Sequence, residues 1–152
     1  MQSLDIEFQS PAAIRAFQED LLRRQMAYLA ERSPFYRRLF AEHGIDPAQV
    51  RTLDDLTRLP FTEKEHLQRF NDDFICCDRA DIIDYITTSG TTGESVTFAC
   101  TDADLERLAL NEAKSFAMAG VGRESIVQLM TTLDKRFMAG MAYFLGLRRL
   151  GA

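Results

Sequence analysis

Residues 87 to 93, Thr87-Thr88-Ser89-Gly90-Thr91-Thr92-Gly93, put a run of hydroxyls and two glycines between two β-prone stretches. Gly90 and Gly93 free the backbone to turn several N–H groups to one side, and the hydroxyls of Thr88, Ser89, Thr91 and Thr92 add donors without bulk. A concave array of that kind suits an anion, phosphate above all. It is not a Walker loop, which needs Gly-Lys followed by Ser or Thr at the mouth of a helix, because Gly93 is followed by Glu94-Ser95 and a strand. Nor does it match the three-glycine dinucleotide fingerprint. The same letters also describe a hairpin turn with no ligand, since Gly, Ser and Thr are ordinary turn formers.

Other chemistry is poorly supplied. Cys76, Cys77 and Cys100 have neither the spacing of a zinc site nor that of a disulfide framework, and are expected to be reduced and unreactive. His43 and His66 both fall in charged, helical surroundings, so neither a catalytic histidine nor a bound metal is expected. A net charge of −5 over 152 residues argues against a nucleic-acid partner. No stretch approaches the roughly 18 apolar residues of a membrane span, and no leader pattern opens the chain, which points to a soluble, cytoplasmic protein.

The elements around the loop follow from local signals. Ser10-Pro11 opens a long helix with Ile14, Phe17, Leu21 and Tyr28 as its apolar stripe, widened by Leu22, Met26 and Leu29. Ser33-Pro34 repeats the start signal for a second helix that Gly44 stops. Thr52 begins a short turn, Thr62 and Glu65 form a capping-box pattern, and residues 70–79 read as a connecting loop. Strands follow at 81–86 and 95–100 on either side of the loop. Thr101 caps a helix whose buried side is Leu105, Leu108, Ala109, Ala113, Phe116 and Ala117, ended by Gly120 and Gly122. Residues 125–130 read as a strand buried on both faces, and 137–147 as an apolar helix laid against a sheet. The expected fold is α/β with a mostly parallel sheet. A helical region over 1–80 precedes, over 81–152, the start of an α/β nucleotide-binding subdomain that carries the phosphate loop at 87–95, together one incomplete domain.

Ser89-Gly90-Thr91-Thr92-Gly93 after a strand resembles the phosphate-binding loop of the adenylate-forming enzymes, which include acyl-coenzyme A synthetases and luciferases. The likeness narrows to the phenylacetate-coenzyme A ligase branch. Ser33-Pro34-Phe35-Tyr36, Asp55-Leu56 and Leu59-Pro60-Phe61-Thr62-Glu63-Lys64 are similar to that family's "SPFYR", "DL" and "LPFTTK" in order and spacing. Residues 136–152 align without a gap to its "LFTGGLGFHYGAERLGA", sharing Phe137, Gly140, Gly146, Arg149 and the final Leu-Gly-Ala.

The resemblance implies the N-terminal part of the family's large domain and a two-step reaction. A carboxylate attacks the α-phosphate of ATP to give an acyl adenylate, and coenzyme A then displaces AMP. Ser89, Gly90, Thr91, Thr92 and Gly93 would hold the β- and γ-phosphates, with Mg2+ sharing their charge. Phe137 would wall the acid's pocket, or else serve as a core aromatic of its helix. The family's adenine-binding stretch and catalytic lysine would lie beyond Ala152, so this piece carries no catalytic residue and is expected to be inactive alone. Two departures bear, in turn, on the acid and on any lysine that would assist the phosphates. Thr132-Leu133-Asp134-Lys135 stands where the family has "YGYG", and Ser95-Val96 where it often has proline and a threonine or lysine. The implied substrates are therefore ATP, coenzyme A and phenylacetate or another aryl acid. The alternative is a truncated, non-catalytic module that binds an anion or a partner, and an open sheet edge would also invite pairing into a homodimer.

Overall fold

The computed structural model describes residues 6–88, 95–131 and 138–152, and the chain divides into two compact units, Met1–Cys76 and Cys77–Ala152. In the first unit, helix α1 spans Pro11–Arg32 and α2 spans Pro34–Glu42. Both start as their Ser-Pro pairs dictate: the Ser10 hydroxyl accepts from the Ala13 N–H at 3.3 Å, and the Ser33 hydroxyl accepts from the Tyr36 N–H at 3.2 Å. Ser33 also ends α1, its N–H donating to the Leu29 carbonyl, while its hydroxyl donates to the Asp73 carbonyl at 3.2 Å. It is wholly buried, and every polar atom of it that the fold removes from water has a partner. Gly44, at φ 62°, turns the chain after α2.

The core of this unit is Met26, Phe40 and Val50, with Leu22, Leu29, Tyr36, Ile45 and Leu59 packed around them. Helix α1 therefore buries the face centred on Met26, and the expected stripe is largely on show: Leu21 and Tyr28 are exposed, and Ile14 and Phe17 only half-buried. The reason is tertiary. The partner surfaces, α2 and the turn around Val50, meet α1 at Leu22, Met26 and Leu29.

A second cluster forms where a plain loop was expected. Residues Asn71–Phe74 make a 3₁₀ turn that stacks Phe74 on Phe35, with ring centroids 4.1 Å apart, and Phe70 and His66 close on the same ring. His66 is thus half-buried against an aromatic rather than out on a charged surface. The short helix α3 spans Lys64–Arg69 and takes Glu63, not Thr62, as its cap, with the Glu63 N–H donating to His66 Nδ1 at 3.0 Å. Thr62 is occupied elsewhere, sharing a 3.2 Å hydrogen bond with the Tyr36 hydroxyl. The turn at Leu53–Arg58 is fixed by Asp55, whose carboxylate accepts from the N–H groups of Arg51 and Thr52 at 2.9 and 2.8 Å. These bonds, with one from the Thr52 hydroxyl, hold its pKa down at about 2.

In the second unit, strands β1 (Ile82–Thr87) and β2 (Thr97–Thr101) pair antiparallel, with an irregularity between Ile82 and Asp84. Among the described residues this is the whole sheet, so the expected parallel arrangement gives way to a hairpin. A connection of only nine residues between the strands cannot make the long crossover that a parallel pair requires. Helix α4 (Asp102–Met118) follows directly, capped reciprocally by Thr101 and Asp104: the Thr101 N–H donates to the Asp104 carboxylate at 2.8 Å. Its buried residues include Ala109 and Ala113 as expected, but Ala117 faces out.

Residues 125–130 form no ladder among the described residues. Their exposure alternates, with Ser125, Val127 and Leu129 half-buried and Ile126, Gln128 and Met130 exposed, so they are not buried on both faces. Helix α5 (Met138–Leu150) lies chiefly on α4 rather than on a sheet. Small residues permit that approach: Gly140, Ala142 and Gly146 are buried, and a Cβ at Gly146 would sit 2.4 Å from the Glu112 Cβ.

Candidate phosphate-binding hairpin

The ladder that carries the candidate loop runs from Tyr85 opposite Ala99, through Ile86 opposite Phe98, to Thr87 opposite Thr97. Ile86, Val96 and Cys100 are buried and anchor the hairpin in the second unit. One step beyond the ladder, the Thr88 N–H donates to the Val96 carbonyl at 3.0 Å. An antiparallel pair would return that bond from the Val96 N–H to the Thr88 carbonyl. Instead the Val96 N–H donates to the Thr88 side-chain Oγ1, also at 3.0 Å. The hydroxyl takes the place of the carbonyl, and the ladder ends there.

Thr88 and Val96 are therefore joined by a two-bond closure. Of the hydroxyls read as donors for an anion, that of Thr88 is engaged by the hairpin itself. Ser89, Gly90, Thr91, Thr92 and Gly93 lie outside the described residues, and so does Phe137. The role of Thr88 could have been found once the register was known: position 88 faces position 96, and a β-branched hydroxyl at a strand end readily bonds nearby backbone.

The surrounding electrostatics leave little for other chemistry. Burial pushes the Cys100 thiol above its usual pKa, and the carboxylates of Asp104 and Asp84 push it further, so it stays protonated and a poor nucleophile. Cys76 and Cys77 are half-buried, with Cys76 Sγ donating to the Phe74 carbonyl at 3.3 Å. Among the described residues no three His, Cys, Asp or Glu side chains gather as metal ligands. No described helix is long and apolar enough to cross a membrane.

Several residues that carried the family likeness have structural duties. Gly146 lets α5 approach α4, Gly140 is buried near the start of α5, Arg149 pairs with Glu106 at 2.7 Å, and Gly151 takes φ 86° after the helix. Phe35 and Tyr36, of the "SPFYR" stretch, build the aromatic cluster around Phe74.

No family model matches the chain. A phenylacetate-coenzyme A ligase of Thermus thermophilus is 42% identical over 108 residues, which is 70% of this chain and 24% of that protein. Those of Pseudomonas putida and Escherichia coli are 29% and 28% identical and cover 96% and 97% of this chain, against 33% and 34% of their own lengths. The chain thus spans between a quarter and about a third of the curated relatives it matches. Among solved structures, 2-hydroxyisobutyryl-CoA ligase in an open conformation with 2-HIB-AMP and CoA shares the fold at TM-score 0.85 and 24% identity, over 95% of this chain and 34% of that one. The same enzyme in its postadenylation state with 2-HIB-AMP matches at TM-score 0.82 and 25% identity, over 95% and 31%. With a sequence likeness that runs over nearly all its residues and a fold shared with a CoA ligase, this chain belongs to the phenylacetate-coenzyme A ligase family of the adenylate-forming enzymes.

Proposed function

We propose that the chain is the N-terminal, phosphate-gripping portion of an ATP-dependent acid-CoA ligase of the cytoplasm. Its acid substrate is phenylacetate or another aryl acid, activated through an acyl adenylate and passed to coenzyme A. The observation that supports this reading is a hairpin whose last bonds join Thr88 and Val96, the residues that flank Ser-Gly-Thr-Thr-Gly in the sequence. Backbone N–H groups and the hydroxyls of Ser89, Thr91 and Thr92 grip the β- and γ-phosphates and spread the charge that builds on them as pyrophosphate departs. Gly90 and Gly93 let the backbone come close enough to do so. ATP supplies the activated phosphoryl centre. Phe137 presents an aromatic wall to the acid. No residue of this chain is proposed as a ligand of Mg2+ or as the catalytic base, and the chain alone is inactive.

The test is pyrophosphate exchange into ATP by a ligase carrying this segment. Replacing both Thr91 and Thr92 by valine keeps their shape and removes two donors. The exchange rate is expected to fall tenfold or more, about 1.4 kcal/mol of transition-state stabilisation. An unchanged rate rejects the assignment. For the chain by itself, calorimetry with ATP separates this reading from a non-catalytic binding module, which millimolar or absent affinity would favour.

A further inference from the structure

We propose that the two histidines of the first unit are opposed, pH-sensitive helix caps, so that mild acid loosens the start of α3 while holding the end of α2. His66 Nδ1 accepts the Glu63 N–H at 3.0 Å at the N-terminus of α3. A ring nitrogen accepts only while it carries no proton, so this bond fixes a neutral imidazole with its proton on Nε2. Turning the ring over cannot rescue the cap after proton uptake, because both nitrogens are then donors. The cation would also lie at the positive end of a helix. Because α3 is only six residues long, it has little of its own to hold it once the cap is lost. His43 is the reverse case. Its Nδ1 lies 3.0 Å from the Leu39 carbonyl at the C-terminus of α2, and since a carbonyl only accepts, Nδ1 carries the proton. A second proton leaves that bond in place and sets a positive charge at the negative end of a helix. The elements packed about His66 bring Glu63 and Arg69 on its own face of α3, Arg38 on α2, and Asp72 and Asp73 on the 71–74 turn. Arg38 pairs with Asp73 at 2.6 Å, and Arg69 lies over the Phe70 ring. About His43 they are Glu42 on α2, and Asp46 and Arg58 along the hollow it lines. As side-chain types, carboxylates and guanidiniums titrate outside about pH 5.5 to 7.5 and imidazole within it.

The experiment uses the full 152-residue chain at about pH 7.5 and about pH 5.5, on either side of the range in which imidazole takes up its proton. Nitrogen NMR of the imidazoles reads which ring atom holds the proton, and amide hydrogen exchange, corrected for its intrinsic pH dependence, reads the caps. At the higher pH His66 is expected as the Nε2–H form and His43 with Nδ1 protonated. At the lower pH the Glu63 amide is expected to lose protection about fivefold, the typical worth of a cap, while the His43 amide at the end of α2 loses none. His66→Gln keeps an acceptor that does not titrate, so its Glu63 protection is expected to be equal at both pH values. His43→Asn is expected to leave the loss at Glu63 as it is in the wild type. A protonated Nδ1 on His66 at the higher pH, or wild-type Glu63 protection that does not fall in acid, overturns the α3 half of the device. Loss of protection at His43 in acid overturns the opposed sense. A His66→Gln chain that loses Glu63 protection in acid as the wild type does assigns the response to another group and overturns the proposal. Should that variant fail to fold, the wild-type proton positions decide.

Discussion

Gly146 is the point at which the second unit can be most cleanly disturbed. A Cβ added there would lie 2.4 Å from the Glu112 Cβ and 3.0 Å from the Ala113 backbone nitrogen. Carbon atoms prefer about 3.5 to 4.0 Å, so α5 would have to withdraw by about 1 Å or more. The atoms in the way are backbone and the root of a side chain, and no rotamer change relieves them. Overpacking of this kind costs about 1–3 kcal/mol, whereas replacing glycine by alanine in a helix returns about 1 kcal/mol. Gly146→Ala should therefore fall between neutral and about 2 kcal/mol destabilising. Gly146→Val adds two more carbons and recovers less propensity, so it should lose about 2–3 kcal/mol. In a unit of this size each kcal/mol moves the melting temperature by about 4–8 °C. Circular-dichroism melts give the temperature, and amide exchange at Ala109 and Ala113 reports whether the loss lies on α4. Ala117→Val, on the exposed side of α4, serves as the control. A Gly146→Val chain that melts with the wild type and protects those amides equally would refute the reasoning.

Ser33→Ala removes the acceptor of the Tyr36 N–H and the donor to the Asp73 carbonyl at a fully buried position, and should cost about 1–3 kcal/mol in urea unfolding of the first unit. A loss under about 0.5 kcal/mol would mean the cap is dispensable. Asp55 has a folded-state pKa near 2, below its ordinary 3.8. It therefore contributes stability that is present above about pH 4 and lost as pH falls through about 2. Melting temperature followed from pH 5 down to 2 should drop more shallowly in Asp55→Asn than in the wild type, and parallel curves would contradict the role given to its hydrogen bonds.

The likeness to relatives and the start signals of the helices were both legible in the letters. Ser10, Ser33 and Thr101 cap their helices through partners three residues away, so the chain's own order nearly suffices. Where a choice depended on distant partners, the letters misled. Thr62 has the right spacing for a cap, but Tyr36 claims its hydroxyl and the cap moves to Glu63. The Ile14–Tyr28 stripe has good helical spacing, yet α1 buries Met26, because burial follows where other elements land rather than periodicity alone.

The candidate site divides in the same way. The hydroxyls and glycines at 89–93 are the letters from which an anion loop is proposed, since those residue types are what such chemistry needs. The strand register assigned Thr88 to the hairpin, because only pairing Thr87 with Thr97 sets its hydroxyl beside the Val96 N–H. The sequence by itself thus determined the starts of α1, α2 and α4 and the letters of the loop, which depend on neighbours along the chain. Antiparallel pairing, the seat of α5 on α4 and the bond from the Val96 N–H to the Thr88 hydroxyl were decided by the tertiary structure, since each depends on atoms that only folding brings within contact distance.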